Sequence, residues 1–143
     1  MAVKKKKSTT RSDTSLKSLD LYTFFLDRAS ESKTLHEALK VMGAQVELHR
    51  EHFAQEEGDQ VWLPEVCQRG WVVISHDQFN ELEKQAIRNA GGRAFLIVAG
   101  DATGAQKAAM VTGALRRMLR ILQATPAPFI AKVYRANKVD ILR

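Results

Sequence analysis

The chain has 143 residues, of which 45% are hydrophobic and 27% charged, as expected for one soluble globular domain. No apolar run approaches the roughly 20 residues that a membrane-spanning helix needs, and the lysine-rich start lacks the apolar core of a secretory signal, so we expect no membrane association. Cys67 is the only cysteine, which excludes an intrachain disulfide and a cysteine-cluster metal site and favours a cytoplasmic protein.

The net charge of +6 is unevenly distributed along the chain. Residues 1–19 are rich in Lys, Ser and Thr, and this composition predicts a disordered basic tail before a folded domain of residues 20–143. Within residues 21–100, twelve Asp and Glu stand against eight Lys and Arg, whereas residues 101–143 carry eight Lys and Arg against two acids. Acidic residues gathered in a cleft bind cations, and basic flanks attract polyanions.

Short apolar segments alternate with amphipathic ones through the predicted domain. Five apolar or aromatic segments predict buried strands, namely residues 21–26, 45–49, 71–75, 93–99 and 129–134. Four segments with apolar residues at helical spacing predict helices between them, namely residues 33–42, 59–68, 77–89 and 103–123. This alternation predicts an α/β fold, a three-layer sandwich with a mostly parallel five-stranded sheet and helices on both faces. Residues 51–58 are predicted to be a polar loop, and residues 139–142 a short final element.

Aspartates lie at or beyond the ends of the predicted strands. Asp27 follows the first strand, Asp77 the third and Asp101 the fourth, and Asp59 begins the helix after the second. Right-handed crossovers place the carboxyl ends of parallel strands at one edge of the sheet, where ligands of such sheets bind. The sequence therefore predicts one site assembled from four aspartates of distant parts of the chain.

A cluster of carboxylates suits a divalent cation. Neighbouring carboxylates repel one another unless a cation compensates, and Mg²⁺ or Mn²⁺ take oxygen ligands. Two such ions can activate a water and stabilise the leaving oxygen in phosphodiester cleavage. Other roles stay open. Asp59 and Asp77 each begin a predicted helix, where aspartate is a common N-cap, Asp27 could be a cap or turn residue, and Asp101 lies in a glycine-flanked turn. The spacing of His49 and His52 is compatible with zinc, but no cysteine or second histidine pair supports such a site.

Seven segments of the chain together carry a family resemblance. They are residues 24–28, 38–39, 43–44, 52–53, 59–66, 69–77 and 128–133, with the runs around Trp62 and Trp71 the most specific. In combination they resemble the bacterial PIN-like domain proteins, a branch of the PIN nuclease superfamily, over residues 21–134.

The resemblance implies a function. PIN domains are Mg²⁺- or Mn²⁺-dependent ribonucleases with three or four clustered acidic residues, and many are toxins of toxin–antitoxin pairs. By similarity, Asp27, Asp59 and Asp77 would be catalytic metal ligands, and Asp101 would fall near the fourth position. The resemblance further implies RNA as the substrate and an antitoxin-like protein as a partner, and PIN relatives often form homodimers.

Five basic residues are candidates for holding the RNA backbone, namely Arg28, Lys33, Arg116, Arg117 and Arg120. The three arginines of the last predicted helix have an alternative role as an ordinary solvated helix face.

A non-catalytic PIN-like module that binds RNA or a protein is the alternative function. A phosphoryl-accepting receiver domain also carries strand-end aspartates, but it is less favoured because Lys132 lies within the fifth predicted strand rather than beyond it.

Overall fold

The computed structural model describes residues 18–27, 32–76 and 79–142. The strands are β1 Thr23–Leu26, β2 Gln45–Leu48, β3 Val72–His76, β4 Arg93–Ile97, β5 Phe129–Val133 and β6 Val139–Ile141. The helices are α1 Lys33–Val41, α2 His49–His52, α3 Asp59–Gln68, α4 Glu81–Asn89 and α5 Gly104–Ala124, and a 3₁₀ turn at Ser18–Leu21 precedes β1.

The strands form one sheet in the order β2-β1-β3-β4-β5-β6. Strands β1 to β5 pair in parallel, which confirms the predicted α/β class with a mostly parallel sheet. The sheet has six strands rather than the predicted five, because β6 pairs antiparallel to β5. The connecting loop closes with a 2.8 Å hydrogen bond from the Tyr134 N–H to the Lys138 carbonyl, and Ala136 and Asn137 have positive φ there.

Helices cover both faces of the sheet. Alternate side chains of a strand point to opposite faces. Phe24 and Leu26 of β1 therefore pack with α1 and α5, whereas Phe25 packs with α3 and α4. Leu19 of the 3₁₀ turn is fully buried on the same side of the sheet as Phe24 and Leu26. The folded domain therefore includes Leu19, which the sequence analysis placed in the tail of residues 1–19.

The segment after β2 is helical where the sequence predicted an extended strand end and a polar loop. Strand β2 ends at Leu48, and His49–His52 form the short helix α2. The Glu51 carboxylate accepts a hydrogen bond from the Leu48 N–H at 3.1 Å, which stabilises this turn.

Helix α4 begins later than predicted. The prediction placed its start at residue 77, but the helix begins at Glu81 and Asn80 is its N-cap. The Asn80 side chain accepts from the Glu83 N–H at 2.8 Å, and the Glu83 carboxylate accepts from the Asn80 N–H at 2.7 Å. This reciprocal capping box fixes the start of the helix.

The strand order creates a crevice between β1 and β3. From β1 the chain passes through α1 to β2 on one side, and β3 lies on the other side of β1. Such a topological switch point leaves a crevice beyond the carboxyl ends of the two strands, because the helices diverge to opposite faces. On the α1 face, the starts of α1 and α5 approach closely, since a Cβ built on Gly104 would lie 3.5 Å from Ser32 Cβ. Of the helices in the described part of the chain, none combines the length and apolar character needed to cross a membrane.

Candidate active site

Asp27 lies in the crevice at the carboxyl end of β1. It is only 6% exposed, which is unusual for an aspartate. The Ser75 hydroxyl, at the end of β3, donates a hydrogen bond to Asp27 Oδ2, and the Asp27 N–H donates to the Ile74 carbonyl at 3.4 Å. Asp27 follows Phe25 by two residues and therefore faces the α3 and α4 side of the sheet.

Asp59 is the first residue of α3. Gly58 is the N-cap of this helix, so the N-cap role left open for Asp59 is wrong. The Asp59 carboxylate instead accepts a 2.9 Å hydrogen bond from Nε1 of the buried Trp62, one turn further along the helix. The Trp62 ring packs against Phe25 of β1, with ring centroids 5.3 Å apart. Asp59 is thereby fixed on the same side of the sheet as Asp27.

Glu83, in the first turn of α4, is a third acid that the sequence analysis missed. Partial burial raises the pKa of Glu83 above its ordinary value, and a hydrogen bond with the Asp59 side chain raises it further. The negative charges of Asp59 and Asp27 also raise this pKa, whereas the hydrogen bond from the Asn80 N–H opposes the shift. Glu83 therefore interacts with both predicted ligands, and the capping-box spacing of Asn80 and Glu83 was the sequence signal that locates it.

Two predicted site residues, Asp77 and Arg28, lie outside the described residues. Strand β3 ends at His76, directly before Asp77 in the sequence. The fourth predicted ligand, Asp101, is exposed in the turn between β4 and α5, unlike the buried Asp27.

A second group of possible ligands lies on the surface beside the edge strand β2. Among the described residues, Glu47, Glu51 and His52 offer ligand atoms that all lie within 4.8 Å of one another. His52 Nε2 is 2.6 Å from Glu47 Oε1, and Glu51 bonds the Leu48 N–H, so local contacts account for these side chains. His49, the other member of the possible zinc pair, is instead buried against the rings of Phe25 and other aromatic residues.

Basic side chains lie on the other face of the crevice. Lys107, in the first turn of α5, has its Nζ 2.9 Å from Nε2 of His76. The predicted RNA-binding residue Lys33 begins α1 and lines a cleft of about 430 Å³. The other residues that line this cleft are Ser32, His36, Glu37, Leu48 and Arg50.

The three predicted RNA-binding arginines of α5 lie far along that helix from the crevice. Arg116, Arg117 and Arg120 are exposed, and Arg116 is twelve residues after Gly104, which corresponds to about 18 Å along the axis. Arg117 and Arg120 line a cleft of about 380 Å³ between the end of α5 and β6. Their surface is therefore distinct from that of Lys33 and Lys107.

Comparisons with known proteins place the chain in a family. The family model described as PIN like domain matches residues 23–99, which include β1 to β4 and the acidic residues of the crevice. The chain belongs to this PIN-like domain family.

A curated relative extends the similarity to most of the chain. The chain is 27% identical over 130 residues to a protein of Mycobacterium tuberculosis (strain ATCC 25618 / H37Rv) named "Putative ribonuclease VapC45". The matched region is 86% of this chain and 94% of that protein. No solved structure gives a significant match to the chain.

Proposed function

We propose that this protein is a metal-dependent endoribonuclease that hydrolyses RNA phosphodiesters. The observation that carries the proposal is the buried Asp27, held by Ser75 at the switch point and grouped with Asp59 and Glu83. Membership of the PIN-like domain family and similarity to a protein named as a ribonuclease support it.

The acidic group fits a hard divalent cation such as Mg²⁺ or Mn²⁺. Partial burial and a hydrogen bond with Asp59 raise the pKa of Glu83, and the negative charges of Asp59 and Asp27 raise it further. A cation would relieve the repulsion among these carboxylates. All the donors are carboxylate oxygens, which these ions prefer. We assign Asp27, Asp59 and Asp77 as ligands, and we keep Asp101 as a fourth candidate and add Glu83. When bound, the cation would lower the pKa of a water and stabilise developing negative charge.

The chain's own groups orient this acidic site. Ser75 holds one oxygen of Asp27, and the Trp62 indole holds one oxygen of Asp59. Such outer contacts fix carboxylate rotamers and commonly change metal affinity or activity by about 10- to 100-fold when removed. Because Asp27 is buried, one side of the site is also shielded from bulk water.

We propose that basic side chains of the protein contact the phosphates of the RNA backbone. Lys33 lines the cleft between the start of α1 and the end of β2, and Arg28 directly follows Asp27 in the sequence. Arg116, Arg117 and Arg120 would contact a more distant part of the RNA, because phosphate contacts are spread along a strand.

The physiological context that we propose is a cytoplasmic toxin-type ribonuclease with an antitoxin-like protein partner, acting as a homodimer. A small neighbouring reading frame whose product co-purifies with this chain is the expected observation for the partner. Light scattering on the purified protein tests the dimer, which a monomer mass at all concentrations would contradict.

The test of the enzymatic proposal is cleavage of single-stranded RNA with Mg²⁺ or Mn²⁺, with EDTA as the metal-free control. We expect Asp27→Asn to lose at least about 100-fold of the rate, because one buried carboxylate ligand is removed. Asp20→Asn, which changes an exposed aspartate of the 3₁₀ turn before β1, is the matched control and should retain the wild-type rate.

Equal rates for wild type and Asp27→Asn would overturn the role of Asp27. Absence of cleavage, together with no calorimetric binding of Mn²⁺, would instead indicate the non-catalytic RNA- or protein-binding module.

A further inference from the structure

We propose that Lys107 contacts a phosphate of the bound RNA next to the scissile position, and that His76 positions it. The inference rests on the proposed ribonuclease function and adds a substrate-contacting residue to its site.

Lys107 is anchored at the carboxyl edge of the sheet. It lies in the first turn of α5, where its N–H donates to the Thr103 carbonyl at 2.9 Å. Its half-buried side chain turns toward the end of β3, and Nζ lies 2.9 Å from His76 Nε2. An ammonium group only donates hydrogen bonds, so Nε2 of His76 accepts this one.

A ring nitrogen orients the Lys107 ammonium without bringing a carboxylate next to it. Lys84 and Lys138, by contrast, lie 3.9 Å and 3.7 Å from the carboxylates of Glu81 and Asp140. The imidazole uses one of the three donors of Lys107, and an ammonium directs its remaining donors to other acceptors. Phosphate oxygens are acceptors that match such a charged, oriented donor.

Consecutive residues of β3 place Lys107 across the sheet from the acids. Ser75 points to the face of Asp27, whereas His76 points to the opposite face, where α5 begins. Asp27 and Lys107 therefore lie on opposite faces of the sheet, at the ends of β1 and β3. An RNA strand carries a phosphate on every nucleotide, so a strand with one phosphate at the acids can present a neighbouring one to Lys107.

Other cations lie along the same edge of the sheet. Lys33 starts α1 beside the start of α5, since a Cβ built on Gly104 would lie 3.5 Å from Ser32 Cβ. Arg135, after β5, donates from Nη2 to the Ala99 carbonyl beyond β4 at 3.5 Å. In the strand order, β3, whose end contacts Lys107, lies between β1, which Lys33 follows, and β5, which Arg135 follows. The three cations could therefore contact successive phosphates of an RNA strand that runs along this edge.

The experiment measures RNA binding separately from cleavage. Fluorescence anisotropy of a labelled single-stranded RNA in EDTA gives Kd over a range of salt concentrations, and kinetics with Mn²⁺ give kcat and KM. For Lys107→Ala we expect a Kd about 5- to 10-fold higher, and a salt slope smaller by about 0.7, the value for one lost phosphate contact on a single strand. KM should rise more than kcat falls, and Lys107→Arg should restore most of the affinity.

The matched control is Lys40→Ala, which removes an exposed lysine from the last turn of α1, the end of the helix remote from the crevice. It should leave Kd within about twofold and the salt slope unchanged. His76→Ala should raise Kd in the wild-type background but not in Lys107→Ala, since a positioning residue acts only through its partner.

The outcomes separate the two proposals. If the wild type does not cleave RNA but binding depends on Lys107 as described, the ribonuclease function fails and the phosphate contact stands. If Lys107→Ala behaves like Lys40→Ala in Kd and salt slope, the contact is overturned even when the wild type cleaves. A wild type that binds no RNA overturns the contact as well.

Discussion

The Ser75 hydroxyl donates a hydrogen bond to Oδ2 of Asp27, and this contact joins the ends of β1 and β3 at the switch point of the sheet. Both side chains are buried, so the bond is shielded from competition with water. The contact fixes the orientation of the carboxylate on which the proposed metal site depends.

Ser75→Ala should therefore impair the site while preserving the fold. Alanine fits the buried position, but Asp27 loses a hydrogen bond to a charged group, which costs about 1–3 kcal/mol of unfolding free energy. We expect the Mn²⁺ affinity and the cleavage rate to fall about 10-fold, as measured by calorimetry and single-turnover kinetics. Ser18→Ala, a serine replacement in the 3₁₀ turn before β1, is the control. Unchanged metal affinity in Ser75→Ala would contradict the orienting role.

Replacing Glu83 should stabilise the protein in the absence of metal. The folded protein holds the Glu83 proton more tightly than the unfolded chain, because burial and the nearby carboxyls raise this pKa above its ordinary value of 4.5. The free energy of unfolding of the wild type therefore falls as the pH rises from 4.5 through the raised pKa. Glu83→Gln removes this pH-dependent loss of stability. Its side-chain carbonyl can still accept the hydrogen bond from the Asn80 N–H, so the capping box can remain.

At neutral pH in EDTA, we expect the Tm of Glu83→Gln to exceed that of the wild type by roughly 2–4 °C. At a pH well below 4.5, the ordinary pKa of glutamate, the two Tm values should be equal. Thermal melts across the pH range measure this difference. Glu81→Gln, which replaces an exposed glutamate of the same helical turn, is the control and should change Tm less. A Tm difference for Glu83→Gln that does not change with pH would refute the electrostatic explanation.

Periodicity in the sequence located the candidate site residues that follow a strand or begin a helix. Asp27 directly follows an apolar strand, and Asp59 directly begins a helix with a clear apolar side, so both could be located from periodicity. Glu83 was missed because the predicted helix began too early, which concealed the capping box of Asn80 and placed Glu83 in the helix interior. Long-range side-chain contacts, such as that between Lys107 and His76, have no local sequence signal.

The pairing of the last strand, β6, could not be predicted from the sequence either. Strand β6 has only three residues, and its assignment depends on the antiparallel pairing of Val139 with Val133 across a loop with positive φ at Ala136 and Asn137. Alanine is a poor indicator of such a conformation, because positive φ is usually marked by glycine or asparagine. The sequence therefore indicated an element after β5 but not its pairing.

Trp62→Phe should weaken the site through Asp59. The change removes the indole N–H that donates to the Asp59 carboxylate and leaves a smaller ring against Phe25. We expect a loss of about 1–2 kcal/mol in the free energy of unfolding and a 5- to 10-fold fall in the cleavage rate. Chemical denaturation and RNA cleavage assays measure the two effects.

Trp71→Phe distinguishes the effect of aromatic packing from the effect of the hydrogen bond to Asp59. Trp71 also stacks on Phe25, with ring centroids 5.9 Å apart, but it is only half-buried. Its replacement should leave the cleavage rate within about twofold of the wild type, because it removes no donor from Asp59. Equal losses of activity in the two variants would show that aromatic packing, and not the indole hydrogen bond, supports the site.

Gly92 and Cys67 should show coupled effects on stability. Cys67 is buried in α3, and desolvation raises the pKa of its thiol to about 11. A Cβ built on Gly92, just before β4, would overlap the Cys67 sulfur and come within 3.2 Å of Ile87 Cγ2. Gly92→Ala should therefore lower the free energy of unfolding by about 1–3 kcal/mol through overpacking.

Cys67→Ala removes the sulfur and should recover part of that loss in the double variant, although the Cβ of residue 67 still limits the space. A double-mutant cycle from urea denaturation measures the coupling, which we expect at about 1 kcal/mol. Gly104→Ala, in the first turn of α5, is the control, because a Cβ there comes no closer than 3.5 Å to Ser32. Additive effects of Gly92→Ala and Cys67→Ala would show that the Cys67 sulfur is not the source of the overpacking, which would then come from the Cβ of residue 67 and from Ile87.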